Sequence, residues 1–475
     1  MSLSSLEFAF LLPPLIAVYW LLYARRLQHV YLALVTALFI AFNDRSNLWV
    51  LLWVLAATMT VVGAANRFEG ARRWIISGGI VGLIANLAYF KYLPWLADLA
   101  GVPLPATAPP LGISYYTFIL IGFLADSSRQ GRLLTSWRLP QLLMFFPFLS
   151  SGPLVRLQSW SAQMSSGRKR FVMRNVTTGT HLFLIGLTKK ILIADAIALS
   201  TSPIWASPTD YGRAALALAT ISFYVQLYAD FSGYTDMARG VARMMGFHLP
   251  INFKAPYFAA LPTEFWSRWH MSLTGWIRDY AFTPLSVLVW RRVSSRRLAP
   301  FVTFALSVVL MTMVGLWHGA STNFVLFGMF HGILIGAWYA AVGNGRRLSR
   351  RQRVLSWAML QVLLIVSMTM FRADTLGRSF AVVSGIFVSH GAGSVDDAWF
   401  GLAIAIVAIY TFQRFEIRPG RRLARMRGDA RLFPIYLALI VLVLYFKGLT
   451  LEGVWISPAD PFFNQGQEKF IYLQF

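Results

Sequence analysis

Apolar residues fall into long runs separated by short polar or basic breaks, at residues 6–22, 30–42, 48–65, 74–96, 113–125, 180–196, 214–228, 300–317, 324–342, 354–370, 399–412 and 432–446. Runs of this length do not alternate as half-buried strands do; they predict helices apolar on every side. A bilayer core needs about 20 residues of helix, so the pattern predicts about ten or eleven spans. The shorter runs are then re-entrant pieces buried in protein, because irregular backbone is not tolerated against lipid. One break reads as a connecting loop and another fits that re-entrant description. Residues 101–110 (GVPLPATAPP) cannot be helical through so many prolines, and residues 145–156 (FFPFLSSGPLVR) interrupt an apolar segment with Pro and Gly.

Composition makes the bilayer the solvent. Of 475 residues, 57% are hydrophobic, 15% aromatic and 13% charged, with mean hydropathy +0.57. The fold class is therefore an all-α polytopic membrane protein. The formal charge of +24 does not point to nucleic acid, because the basic residues cluster between apolar runs, as cytoplasmic loops do. Arg25 and Arg26 follow the first run, while residues 1–8 carry Glu7 and no Lys or Arg. The amino terminus is predicted outside, and the first run is read as a retained span rather than a cleaved signal. Clusters at 67–73, 168–174, 291–297, 346–353 and 418–431 are further predicted cytoplasmic loops, where anionic lipid is the expected contact.

The chain has no cysteine, which removes disulfides, thiolate metal sites and acyl-cysteine intermediates. Its seven histidines form no HExxH pair, and there is no GxxxxGK[ST] loop, GxSxG elbow or internal repeat. No metal site and no bound cofactor are expected.

Ionisable residues inside apolar runs are costly and become the candidates for function. Arg156 ends the broken segment as an intramembrane or cavity-edge cation, facing a lipid phosphate or a ligand carbonyl. Lys189 and Lys190 are expected to snorkel to the cytoplasmic surface. Asp236 and Arg239, three apart on one helical face, predict a buried ion pair, whereas Asp230 needs a partner from another segment. Residues 262–284 (PTEFWSRWHMSLTGWIRDYAFTP) read as one amphipathic helix capped by Thr263, with Glu264 and Arg268 paired at i,i+4. Its Trp266, Trp269, Arg268 and His270 place it either in the membrane interface or along a tunnel with His270 pointing in. His318, in VGLWHGAS, is the most conspicuous buried ionisable group. His331 lies thirteen residues on, roughly 20 Å of rise and about 140° of rotation along one helix. Either the helix breaks at Gly319 or the two histidines do separate work.

Seven blocks then add up to a resemblance: LGISYYTF (111–118), FLSSGPLVR (148–156), GLTKKILIAD (186–195), YADFSGYTDMARGVARMMGF (228–247), NFKAPYFAALPTEFWSRWHMSLTGWIRDY (252–280), GLWHGASTNFVLFGMFHG (315–332) and FIYLQF (470–475). In this order they resemble the membrane-bound O-acyltransferase family, and within it the bacterial alginate O-acetyltransferases and relatives acting on cellulose or peptidoglycan. The resemblance implies about eleven transmembrane helices, with re-entrant and interfacial helices, enclosing a transmembrane tunnel. It treats residues 1–475 as one membrane-embedded domain, with scaffold helices in 1–100, a catalytic core in 110–342 and C-terminal helices in 343–475. It places the protein in the bacterial inner membrane, with an acyl thioester, acetyl-CoA or another, entering from the cytoplasm.

By the same resemblance His318 is the essential histidine and His270 the second. Trp317, Trp266, Trp269, Arg268, Ser272, Asp279, Asp230, Asp236, Arg156 and His331 are candidates for lining the tunnel or substrate site. Near-neutral imidazole suits a general base for acyl transfer to a hydroxyl. Transfer is either direct or through a residue of a periplasmic acetyltransferase partner. One departure is residues 283–292, TPLSVLVWRR, where relatives of this branch have a Gly-Gly turn and a basic residue. Two other readings stand beside the O-acetyltransferase: a D-alanyltransferase of teichoic acid synthesis fed by a carrier protein, and a proton-coupled transporter using Asp230, Asp236 and His318.

Overall fold

A computed structural model describes residues 3–22, 25–43, 45–104, 109–129, 138–149, 151–165, 171–293, 295–342, 348–391 and 398–417. The basic cluster at 418–431, the apolar run at 432–446 and the FIYLQF block lie outside the described residues, as do residues 168–170 of the basic cluster at 168–174. Every apolar run within the described residues is helical, and there is no strand among them. The chain divides into two compact units.

The first unit comprises the described residues of Met1–Phe183 and Tyr234–Pro250. It holds α1 (Leu6–Leu21), α2 (Arg25–Asn43), α3 (Arg45–Arg67), α4 (Arg72–Lys91), α5 (Leu93–Leu99), α6 (Ile113–Arg129), α7 (Arg138–Leu143), α8 (Phe146–Leu149), α9 (Leu157–Ser165) and α10 (Met173–Thr188) as far as Phe183. The predicted break at 145–156 is real: helix stops after Leu149 and restarts at Leu157. Around it Trp160 stacks on Phe247 at 4.8 Å between ring centroids, and Phe145 closes the cluster at 5.0 Å from Trp160. Arg156 is exposed where the backbone leaves that cluster. Asp236 and Arg239 form the expected ion pair at 3.0 Å, half-buried rather than buried.

The second unit comprises the described residues of Leu184–Gly233 and Ile251–Phe475. A π-helical turn, Lys189–Asp195, continues α10 into α11 (Ala196–Ala206); then come α12 (Arg213–Met244), which belongs here through Gly233, α13 (Pro262–Arg268) and α14 (Met271–Ile277). A second π turn, Arg278–Phe282, leads to α15 (Thr283–Arg292), α16 (Ala299–His318), α17 (Thr322–Val342), α18 (Arg350–Arg372), α19 (Leu376–Val388) and α20 (Ala398–Ile417). Among the described residues, six segments are long and apolar enough to cross a membrane: Arg45–Arg67, Glu69–Lys91, Arg213–Met244, Ala299–His318, Thr322–Val342 and Arg350–Arg372. Shorter apolar helices at Glu7–Leu21, Leu27–Phe42, Leu376–Val388 and Gly401–Arg414 fall below the length a span needs unaided. The protein is thus an all-helical, multi-pass membrane protein.

The snorkelling expectation for the two lysines is overturned. Both are buried. Lys190 Nζ sits 2.7 Å from Asp195 and 2.8 Å from Asp230, which supplies the distant partner that Asp230 required. Lys189 Nζ lies over the rings of Tyr228 and Phe412, 5.6 and 5.4 Å from their centroids. The wider π turn places consecutive lysines against α12, where Gly233 lets the two backbones approach: a Cβ there would come within 2.7 Å of the Gly186 carbonyl oxygen.

α16 and α17 pack backbone to backbone as an antiparallel hairpin. Gly328, Gly332 and Gly336 recur every fourth residue along α17, the small-residue spacing that lets membrane helices touch backbone to backbone. A Cβ on Gly328 would clash with the Met311 carbonyl and lie 2.8 Å from Thr312 Cα. Helix propensity alone favours Ala over Gly by about 1 kcal/mol. Here the contact outweighs it: Gly328→Ala is expected to destabilise by about 1–3 kcal/mol, read as a lower unfolding temperature in detergent. A variant as stable as the parent would mean that the helices stand further apart.

Candidate functional site

The hairpin delivers His318 to its place. α16 ends on this residue, Gly319 continues in extended backbone, and α17 starts at Thr322. Of the two options left by the sequence, the helix does break at Gly319. The Phe324 ring lies where a Cβ of Gly319 would be, so a side chain there would push the turn open. Asn323 Nδ2 donates to the Ala373 carbonyl just beyond α18, anchoring the turn to a third helix. His318 is buried, with Trp317 at 4.7 Å, Phe371 at 5.1 Å and Phe327 at 6.3 Å between ring centroids.

His270 arrives by a different route. The predicted single helix over 262–284 does not form. It splits into α13, α14, a π turn and α15, and His270 sits at the first split with φ 44° and ψ 51°. Left-handed backbone is unfavourable for a residue with a Cβ, by roughly 1–2 kcal/mol. Tertiary hydrogen bonds impose it: Met271 N–H donates to the Asn252 carbonyl at 2.9 Å, and Lys254 N–H to the Arg268 carbonyl at 3.0 Å. Thr263 does not cap the helix, since Leu261 occupies that position. Glu264 turns away from Arg268, accepting the Ala260 N–H at 3.0 Å and pairing with Arg353 of α18 at 3.0 Å. Local helix signals lose here because 252–254 and α18 hold the segment from both sides.

Buried His270 lies 4.7 Å from the Phe231 ring and 5.7 Å from Trp317. Trp317 therefore bridges the two histidines. Burial of the His270 ring, outside the spanning helices, lowers its pKa from the usual histidine value to about 3, so it is neutral at physiological pH.

His331 is also only one ring from His318. Phe327 touches both, 4.5 Å from His331, so the helix break narrows the separation expected on a continuous helix. His331 Nε2 lies 3.2 Å from Ser367 Oγ, which itself donates to the Leu364 carbonyl at 2.8 Å. Trp266 packs edge-on against His331 at 5.1 Å. Trp269 stacks on Phe265 at 5.4 Å.

Among the remaining candidates, Ser272 is the second residue of α14 and donates its N–H to Asn252 Oδ1 at 3.2 Å, Arg268 is half-buried, and Asp279 pairs with Arg278 at 2.8 Å near the surface. Asp230 is engaged by Lys190 one residue before Phe231. Arg156 and Asp236 belong to the first unit. Sequence reasoning passed over Asn252, Phe231, Ser367 and Phe371. Only Asn252 carried a signal, as a polar residue opening an otherwise apolar and aromatic stretch.

A buried imidazole flanked by aromatic rings and a second histidine can move a proton in a site from which bulk water is excluded. A profile of the membrane-bound O-acyltransferase family matches residues 123–372, which contain all three histidines. The probable alginate O-acetylase AlgI of Pseudomonas putida is 32% identical over 90% of this chain and 89% of its own. The peptidoglycan O-acetyltransferase of Helicobacter pylori is 28% identical over 67% of this chain and 66% of its own. The teichoic acid D-alanyltransferase of Bacillus subtilis is 30% identical over 57% of this chain and 69% of its own. A multi-pass helical membrane protein with this match over more than half its length belongs to the membrane-bound O-acyltransferase family and is an acyltransferase.

Proposed function

We propose that the protein is an O-acetyltransferase that takes an acetyl group from a cytoplasmic thioester, acetyl-CoA or another, and delivers it for O-acetylation of an exported polysaccharide of alginate, cellulose or peptidoglycan type. The observation that carries this reading is His318, buried at the end of α16 with His270 one indole ring away. His318 accepts the proton of the acceptor hydroxyl as its oxygen attacks the thioester carbonyl. Collapse of the tetrahedral adduct breaks the C–S bond, and the imidazolium returns its proton to the departing thiolate. In this reading about eleven spanning helices enclose a tunnel through the bacterial inner membrane, the amino terminus faces outside, and a periplasmic acetyltransferase either receives the acetyl group or positions the polymer.

Acetyl is favoured over D-alanyl by coverage: the similarity to the Pseudomonas putida acetylase runs over 90% of the chain, that to the D-alanyltransferase over 57%. The test is donor choice. Inside-out vesicles carrying the protein, with acceptor polysaccharide enclosed, are given labelled acetyl-CoA or a D-alanyl carrier-protein thioester on the cytoplasmic face. Base-labile label on the polymer is expected from the acetyl donor. Label from the D-alanyl thioester alone would overturn the assignment.

A further inference from the structure

His270 holds an unfavourable backbone conformation and heads α14, yet its own side chain does not cap that helix. The cap comes from elsewhere. Asn252, fully buried in the stretch after α12, accepts the Ser272 N–H on its side-chain Oδ1 at 3.2 Å and the Met271 N–H on its main-chain carbonyl at 2.9 Å. With Lys254 N–H on the Arg268 carbonyl at 3.0 Å, two short segments are clipped together on both sides of His270. The first orphan donors of α14 are thus met by a residue from a separate segment upstream, and the imidazole is left to lie between Phe231 and Trp317.

We propose that Asn252 is a positioning residue for acyl transfer: by capping α14 from a separate segment it fixes the left-handed turn that sets the His270 ring against Trp317. This rests on the reading that His270 shares the site of His318. Removing the Oδ1 acceptor frees the Ser272 N–H while the two main-chain bonds remain, which loosens the turn and displaces the imidazole from the bridge. A displacement of about 1 Å at such a group costs up to about 100-fold in turnover.

The experiment is a cycle of Asn252→Ala and His270→Gln in the full-length protein, reading kcat, KM and unfolding temperature. Asn252→Ala is expected to lower kcat about 10- to 100-fold with KM little changed, and to have no further effect on kcat when His270 is already Gln. Its effect on unfolding temperature should be the same in both backgrounds, which separates positioning from support of the fold. An equal kcat loss in both backgrounds, or none in the parent, overturns the proposal. If His270→Gln turns over like the parent, the assignment of His270 to the site fails, and the role of Asn252 falls with it. Should Asn252→Ala not accumulate, Asn252→Ser takes its place in the same cycle with the same expected outcomes.

Discussion

His318→Gln is expected to lower acyl transfer by about 10²- to 10⁴-fold, the range that a positioned general base contributes, while the protein remains folded. Glutamine approximates the size of imidazole and keeps polar atoms near the same place, so the aromatic enclosure of Trp317, Phe327 and Phe371 stays filled. It cannot accept a proton from a hydroxyl near neutral pH. His318→Ala removes the base too, but it also opens a void among those rings, and part of any loss is then structural. Comparing the two separates chemistry from packing: equal turnover losses with a lower unfolding temperature only in the alanine variant identify the proton as the missing element. Undiminished transfer by the glutamine variant would remove His318 from the mechanism and leave the three-histidine cluster without its leading member.

How far the sequence reached depended on whether a feature was local. The apolar runs are properties of contiguous residues, and each described one is helical. The Asp236–Arg239 pair follows from i,i+3 spacing and was equally accessible. His318 was visible because a lone imidazole between apolar runs is unusual at any depth. The segment 262–284 misled, because Thr263, Glu264 and Arg268 obey every local rule of a helix start. Hydrogen bonds from Asn252 and Lys254 and the ion pair to Arg353 come from residues distant in sequence, and these decide the backbone. Nor did spacing along one helix foretell that Phe327 joins His318 to His331, since that depends on the turn at Gly319. Lys190 was misjudged for the same reason: a lysine in an apolar run snorkels unless a buried carboxylate is brought to it, and Asp230 lies forty residues further on, while Lys189 is held over the rings of Tyr228 and Phe412.

That carboxylate makes Lys190 the residue whose loss should cost the fold most. Lys190→Met preserves the length and apolar stem of the side chain but leaves Asp230, which is 0% exposed, without its ammonium partner. Removing one member of a buried ion pair costs about 3–5 kcal/mol, because the surviving charge has neither water nor counter-ion. Asp195, at 36% side-chain exposure, has solvent to fall back on and contributes little of that penalty. The expected result is a sharply lower unfolding temperature and poor accumulation in the membrane. Loss of a contact and exposure of a charge predict different outcomes for a second substitution. If the penalty is the stranded carboxylate, adding Asp230→Leu to Lys190→Met should restore most of the stability, since a buried pair replaced by apolar groups is often neutral or better. If the double variant is instead as unstable as the sum of the single ones, the pair is holding the π turn against α12 through its geometry. The closeness of Gly233 to the Gly186 carbonyl favours the first outcome, because backbone contact already fixes that approach without the charges.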